Sequence, residues 1–302
     1  MYTYGQHSKL QTLKVSIVLK ELLRTVYALM YFICASLIMV TVQVRNDNLS
    51  IATKVISQRS LPDVVLDSKH RLQMPAGMPD WTLFAFVAIS VGAHIVFVKP
   101  RSRLILTMRR FFWLLGTCYG LRALSLAGTV LPPSNPNCLY EQRNGWRLLI
   151  AGPQLLVGAV HTCSDKIFSG HTIVATLLSC SWWQLTTNWG VRMYPVLHEI
   201  VMIICSLSGR HHYTVDIVVA LIVAVSVFHI YHLLVRICCV AELHERGPYL
   251  PLKMAAPLSS STDENDVRIE SLFSKYPARA IRVLIKYMDG IDLRDTSDLL
   301  RV

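Results

Sequence analysis

Charge is what this sequence has least of. Only 16% of its 302 residues are Asp, Glu, Lys or Arg, against 53% apolar, where an ordinary soluble domain carries about 25% charged residues. The apolar residues fall in long runs. That pattern excludes a single soluble core and predicts an all-α, polytopic membrane protein. Acidic residues are scarcer than basic ones, 19 against 30. A net charge of +11 would suggest nucleic acid in a soluble chain. Here the basic residues flank apolar runs, and no platform of interleaved basic and aromatic residues exists, so no nucleic-acid partner is expected. The eight cysteines include no CxxC pair and no His/Cys metal spacing, so no metal and no cofactor are expected. Internal repeats are missing too. So is a short apolar stretch with a small-residue cleavage site near the start, which makes the first span a signal anchor.

About 20 apolar residues cross a bilayer, and six runs meet or approach that length, near 23–44, 81–98, 111–131, 170–187, 194–207 and 214–235. They divide the chain into an N-terminal segment 1–22, a six-span membrane domain 23–236 and a tail 237–302. The stretch K-P-R-S-R at 99–103, followed by Arg109 and Arg110, holds no acidic residue. By the positive-inside rule it is a cytosolic loop, as are both termini. Residues 45–80 and 132–170 then face the lumen or exterior. The sequon at Asn48 lies too close to a span end for glycosylation to be expected. Leu148 to Val160 is apolar but short and is interrupted by Gly152-Pro153, which suits a re-entrant or interfacial segment. His198 and Glu199 read as an interfacial pair near the cytosolic end of span five. In the tail, 259–266 reads as disordered linker. Residues 278–289 carry Ile281, Leu284, Ile285 and Met288 at helical spacing, which suits either an interfacial amphipathic helix or one docked on the spans. Cys138 and Cys163 share one lumenal loop, where a disulfide is compatible but left open. Cys238 and Cys239 follow the last span, where S-palmitoylation is compatible.

Two clusters carry chemistry. The first, C-S-D-K-I-F-S-G-H-T at 163–172, opens span four. Ser169 is a good N-cap and Gly170 lets backbone approach a ligand closely. The amides of a helix start favour an anion, and His171 in the first turn can give a proton to a phosphate or its leaving group. The second, H-H-Y-T-V-D at 211–216, opens span six. His212 and Asp216 are four residues apart and share one helix face. An Asp accepting from one ring nitrogen fixes the tautomer and leaves the other nitrogen as nucleophile. Arg210 adds charge for a phosphate, Asp165 lies beside the first cluster, and Arg122 is a costly charge inside span three that must face a cavity or partner. Six spans bring His171 and His212 to the same membrane face. Five would separate them by a bilayer.

These residues resemble the sphingomyelin synthase family. The run at 163–172 resembles the family's C-G-D-x-x-x-S-G-H-T motif, and H-Y-T-V-D at 212–216 its second catalytic motif. Arg122, Ser125, Thr129, Leu131 and Pro132 resemble its R-x-x-[ST]-x-x-x-T-x-L-P segment, and Leu61-Pro62-Asp63 through Asp67 its L-P-D-x-x-x-D stretch. The paired histidine motifs are more distantly similar to those of the lipid phosphate phosphatases. The resemblance implies a six-span transferase of the Golgi or plasma membrane, acting on the lumenal or exoplasmic face. It would move a phospho-headgroup, phosphocholine foremost, from a glycerophospholipid to ceramide and release diacylglycerol. His171, His212 and Asp216 would be its catalytic triad. Ser169, Gly170, Arg210, Arg122 and Asp165 would bind the phosphate. Membrane lipids are then the partners, with homo-oligomerisation left open.

Ser164 departs from the family's glycine, which leaves phosphoethanolamine and phosphoinositol open as headgroups. A lipid phosphatase or phospholipase C-type hydrolase is a second reading, though an upstream K-x6-R-P motif is lacking. A non-catalytic lipid sensor or scaffold is a third.

Overall fold

The computed structural model describes residues 3–55, 60–68, 74–75, 77–99, 101–135, 138, 142–143, 146–156, 162–163, 166–246 and 277–291. Among these the regular structure is helical: α1 (Thr3–Ala52), α2 (Met78–Phe97), α3 (Arg101–Gly128), α4 (Trp146–Leu156), α5 (Gly170–Leu185), α6 (Trp189–Ser208), α7 (Thr214–Arg246) and α8 (Pro277–Asp289). The chain forms two compact units, residues 29–228 and the combination of 1–28 with 229–302.

Four helices among the described residues are long and apolar enough to cross a membrane, at Ser16–Ala52, Met78–Phe97, Trp189–Ser208 and Thr214–Glu242. Only 17–28% of the residues in their most apolar stretches are buried. So much exposed apolar surface has its natural solvent in lipid rather than water. The other two expected spans fall outside this set. α5 has 16 residues, and α3 carries Arg122 within its apolar half.

Helices run further than the apolar runs suggested. The basic stretch expected as a loop at 99–110 is helical from Arg101 onward. The supposed polar segments 1–22 and 45–52 are helical from Thr3 to Ala52, and α7 continues eleven residues past 235. Hydropathy marks where a helix meets lipid, not where its hydrogen bonding stops. The apolar segment beginning at 148 is helical over Trp146–Leu156; its remainder, like the linker at 259–266, lies outside the described residues.

In the unit 29–228, α1 and α3 run parallel. Tyr31 meets Trp113 around the middle of each, and Asn46 donates to the Leu126 carbonyl at 2.6 Å near their ends. A glycine is needed at the crossing, because a Cβ on Gly116 would stand 2.6 Å from the Tyr31 ring. Met39, Val40, Ala123 and Leu126 close the core between them. α2, α5 and α6 pack together, with α3 on α5. α2 and α5 are parallel: Asp80 and His171 meet at their starts, and His94 and Ser181 at their ends. α6 is antiparallel to α5. Its Glu199 accepts from Thr176 Oγ1 and, at 2.7 Å, from Ser179 Oγ, while Ser179 also faces the Pro195 carbonyl.

Glu199 is therefore buried between two helices rather than interfacial. His198 likewise turns inward, stacking on Phe86 and meeting the Thr82 carbonyl at 3.0 Å. The reason is that α6 starts five residues before 194, capped by Asn188, so both residues lie mid-helix. The sequon residue Asn48 is inside α1, its side chain exchanging two hydrogen bonds with the Arg143 backbone.

Candidate active site

Both histidine clusters are organised by helix ends. Ser169 has extended dihedrals and its hydroxyl accepts from Thr172 N–H, so it caps α5 and puts His171 in the first turn. At the other cluster α6 stops in a Schellman motif: His211 N–H returns to the Ser206 carbonyl and Arg210 N–H to Leu207. Arg210 occupies the left-handed position, φ 55°, where glycine is usual and a side chain costs about 1–2 kcal/mol. Its guanidinium explains the exception. It reaches the carbonyls of Leu66 at 3.2 Å and Ser134 at 3.5 Å, while Ser134 Oγ donates to the Arg210 carbonyl at 2.6 Å. Arg210, expected to bind phosphate, thus ties together two loops beside the site.

The turn then opens α7 under two acids. Asp216 Oδ2 accepts from Tyr213 N–H at 2.9 Å, the acid half of a capping box. Asp63, from a distant loop, accepts from Thr214 N–H at 2.7 Å and Thr214 Oγ1 at 2.8 Å, and from Val65 and Leu66 N–H. Burial works to raise the Asp63 pKa, but the hydrogen bonds from Thr214, Leu66 and Val65 outweigh it and hold the carboxyl below its usual range. The Tyr213 hydroxyl donates to the Pro132 carbonyl and accepts from Leu61 N–H, both at 3.1 Å. Burial pushes its pKa up.

The clusters meet. The His171 and His212 rings lie 6.5 Å apart, centroid to centroid. Ser169 N–H donates to the Asp216 carbonyl at 3.2 Å, and Lys166 Nζ donates to the His211 carbonyl, so the start of α5 is stitched to the start of α7. The Cys138–Cys163 disulfide closes the loop that leads in, and Cys163 N–H donates to Asp47 Oδ1 at 3.1 Å.

Each histidine faces a carboxylate. His212 Nδ1 stands 3.6 Å from Asp216 Oδ2, both side chains nearly fully buried. That separation exceeds a hydrogen bond and is of the kind that apo sites close when substrate arrives. His171 Nε2 lies 2.7 Å from Asp80 Oδ1 at the start of α2. Arg122 also arrives: a Cβ on Gly170 would stand 2.5 Å from its Nη1, so the guanidinium rests directly on the first residue of α5. It further donates to Met39 Sδ at 3.2 Å.

Of the eight residues singled out in the sequence, seven are described, and Asp165, like Ser164, lies outside the described residues. Asp80 and Lys166 were missed. Asp80 carried a signal, since the six-span expectation would put it at the start of span two on the same face as both histidines. Lys166 carried none, because a lysine in a loop is ordinarily solvated.

Residues 162–233 match the family model described as PAP2 superfamily C-terminal. The window spans both histidine clusters. Phosphatidylcholine:ceramide cholinephosphotransferase 1 of Rattus norvegicus is 28% identical over 225 residues, covering 70% of this chain and 51% of that protein. The chain is similar to the sphingomyelin synthases. The Homo sapiens cholinephosphotransferase 1 is also 28% identical, over 70% of this chain and 52% of its own length. Sphingomyelin synthase-related protein 1 of Homo sapiens is 27% identical over 232 residues, 71% of this chain and 52% of that protein. The chain spans about half the length of these curated relatives.

Proposed function

We propose that this protein transfers a phospho-headgroup, phosphocholine foremost, from a glycerophospholipid to ceramide. The observation that carries the reading is the meeting of two histidines at two helix starts, 6.5 Å apart, each beside an aspartate. Its relatives are named as cholinephosphotransferases acting on phosphatidylcholine and ceramide, which supports the substrate pair.

In this reading His212 attacks the donor phosphorus. The bond from phosphorus to the diacylglycerol oxygen breaks, and His171 gives that oxygen its proton. The ceramide primary hydroxyl then attacks the phosphohistidine, His171 takes the hydroxyl proton, and the bond to His212 breaks. Asp216 orients His212, and Asp80 orients His171. Arg122 and the amides at the start of α5 stabilise the charge gathering on phosphorus oxygens. Both nucleophilic and acid–base steps thus use rings whose second nitrogen is steered by a carboxylate.

We also propose six spans with both termini cytosolic and the histidines lumenal or exoplasmic, in the Golgi or plasma membrane. The helix directions are in keeping with it: α1 runs parallel to α3, α2 parallel to α5, and α6 antiparallel to α5. Labelled ceramide and phosphatidylcholine, added to microsomes containing the protein, test the reaction. A labelled sphingophospholipid with matching diacylglycerol is the expected product. Free headgroup phosphate with unchanged ceramide would instead assign a hydrolase.

A further inference from the structure

α8 is amphipathic in the opposite sense from a helix docked on a water-soluble surface. At 3.6 residues per turn, Ile281, Val283, Leu284 and Tyr287 share one face, and all four are exposed, at 43%, 64%, 55% and 45%. The opposite face is charged and turned inward. Asp289 is fully buried and accepts from the Tyr231 hydroxyl of α7 at 3.3 Å. Lys286 pairs with Glu242 of α7, and at the edge of the apolar face Arg24 of α1 lies 4.9 Å over the Tyr287 ring. Among the described residues of α8, Ile285 is the apolar side chain buried on this side.

Water would solvate the charges and drive the apolar face inward. The inverted arrangement suits a helix whose outer surroundings are apolar. The neighbouring helices of the same unit define those surroundings. α1 exposes Val18, Leu19, Leu22 and Val26, and α7 exposes Ile230, Leu233 and Val240. Both stretches belong to helices long and apolar enough to span. The outer face of α8 continues their apolar surface. Its 13 residues are too few to cross, since spanning takes about 20.

We propose that α8 is a strap sunk in the bilayer boundary. Its Ile281, Val283, Leu284 and Tyr287 face phospholipid acyl chains, and its charged face is fastened to α1 and α7. Cys238 and Cys239 lie buried in the same unit, so their thiols pack within the protein, which disfavours the acylation the sequence admitted. The proposal is independent of the transfer chemistry.

The test is photocrosslinking of the full chain in cell membranes. Benzoylphenylalanine replaces Leu284 or, separately, Arg282. After irradiation, the Leu284 variant should gain the mass of one phospholipid, and the Arg282 variant should crosslink within its own chain. Capture of a second polypeptide from position 284 would overturn the proposal in favour of a protein-binding face. An unmodified chain at 284 would overturn it in favour of an aqueous one. Lipid capture from 282 would show that the charged face is not docked. If the Arg282 variant does not fold, position 284 alone still decides.

Discussion

Gly170→Ala separates chemistry from fold. Gly170 is the first residue of α5, behind the Ser169 cap. In a helix Ala is favoured over Gly by about 1 kcal/mol, so the substitution favours the fold. The added Cβ, however, would lie 2.5 Å from Arg122 Nη1 and 3.3 Å from its Cζ. Reaching the 3.4 Å of ordinary contact moves the guanidinium by about 0.9 Å. For the fold this is cheap, because the moving atoms end a long side chain. For a group that stabilises charge on a reacting phosphate it is not: misplacement by about 1 Å can cost about a hundredfold in rate. The assay is initial rate of ceramide phosphotransfer in mixed micelles, with thermal unfolding measured beside it. Gly170→Ala should lose about a hundredfold in rate with an unchanged or raised Tm. The loss should not add to that of Arg122→Ala, since both act through one group. A wild-type rate for Gly170→Ala, or a full further loss on top of Arg122→Ala, would refute the role given to Arg122.

Asp63→Ala should destabilise the protein by about 1–2 kcal/mol, the usual cost of a lost helix cap, seen as a lower urea midpoint. Because hydrogen bonding holds the Asp63 pKa below its ordinary 3.8, its contribution is fully present above that value and is lost as pH falls through the folded pKa. Wild-type stability should therefore fall with acidification below about pH 4, and Asp63→Asn should show a shallower fall. Arg210→Gly relieves a left-handed backbone strain of about 1–2 kcal/mol but releases the carbonyls of Leu66 and Ser134. Activity should drop while the Tm stays level, because relief and loss offset each other. Cys138 and Cys163 are separated by 25 residues, and removing such a crosslink costs about 3 kcal/mol by loop entropy. Cys138→Ala should lower the unfolding midpoint, and reduction should then have little further effect.

How much of this was legible in the sequence depended on range. The starts of α5 and α7 were, because Ser169 caps its own helix three residues away and the Asp216 side chain closes on Tyr213, a neighbour in the same turn. Span parity led to the expectation that His171 and His212 share a face, and their rings lie 6.5 Å apart. Other helix boundaries were poorly legible: α3 already begins at Arg101 and α1 runs on to Ala52, because backbone hydrogen bonding is indifferent to hydropathy. Long-range pairings were harder to read. Asp63 meets Thr214 across 151 residues and Asp80 meets His171 across 91, and nothing local names the partner of either acid. The charge of Arg210 was legible, but its left-handed backbone and the carbonyls it braces were not, because both depend on loops distant in sequence.

The central claim is that His212 forms the bond to phosphorus. The most direct measurement is lipid mass spectrometry of cells lacking sphingomyelin synthase activity, expressing either the wild-type chain or His212→Ala. The wild-type chain should produce a sphingophospholipid, whose mass names the headgroup, and His212→Ala, inserted at equal level, should produce none. Equal sphingophospholipid from both would contradict the account.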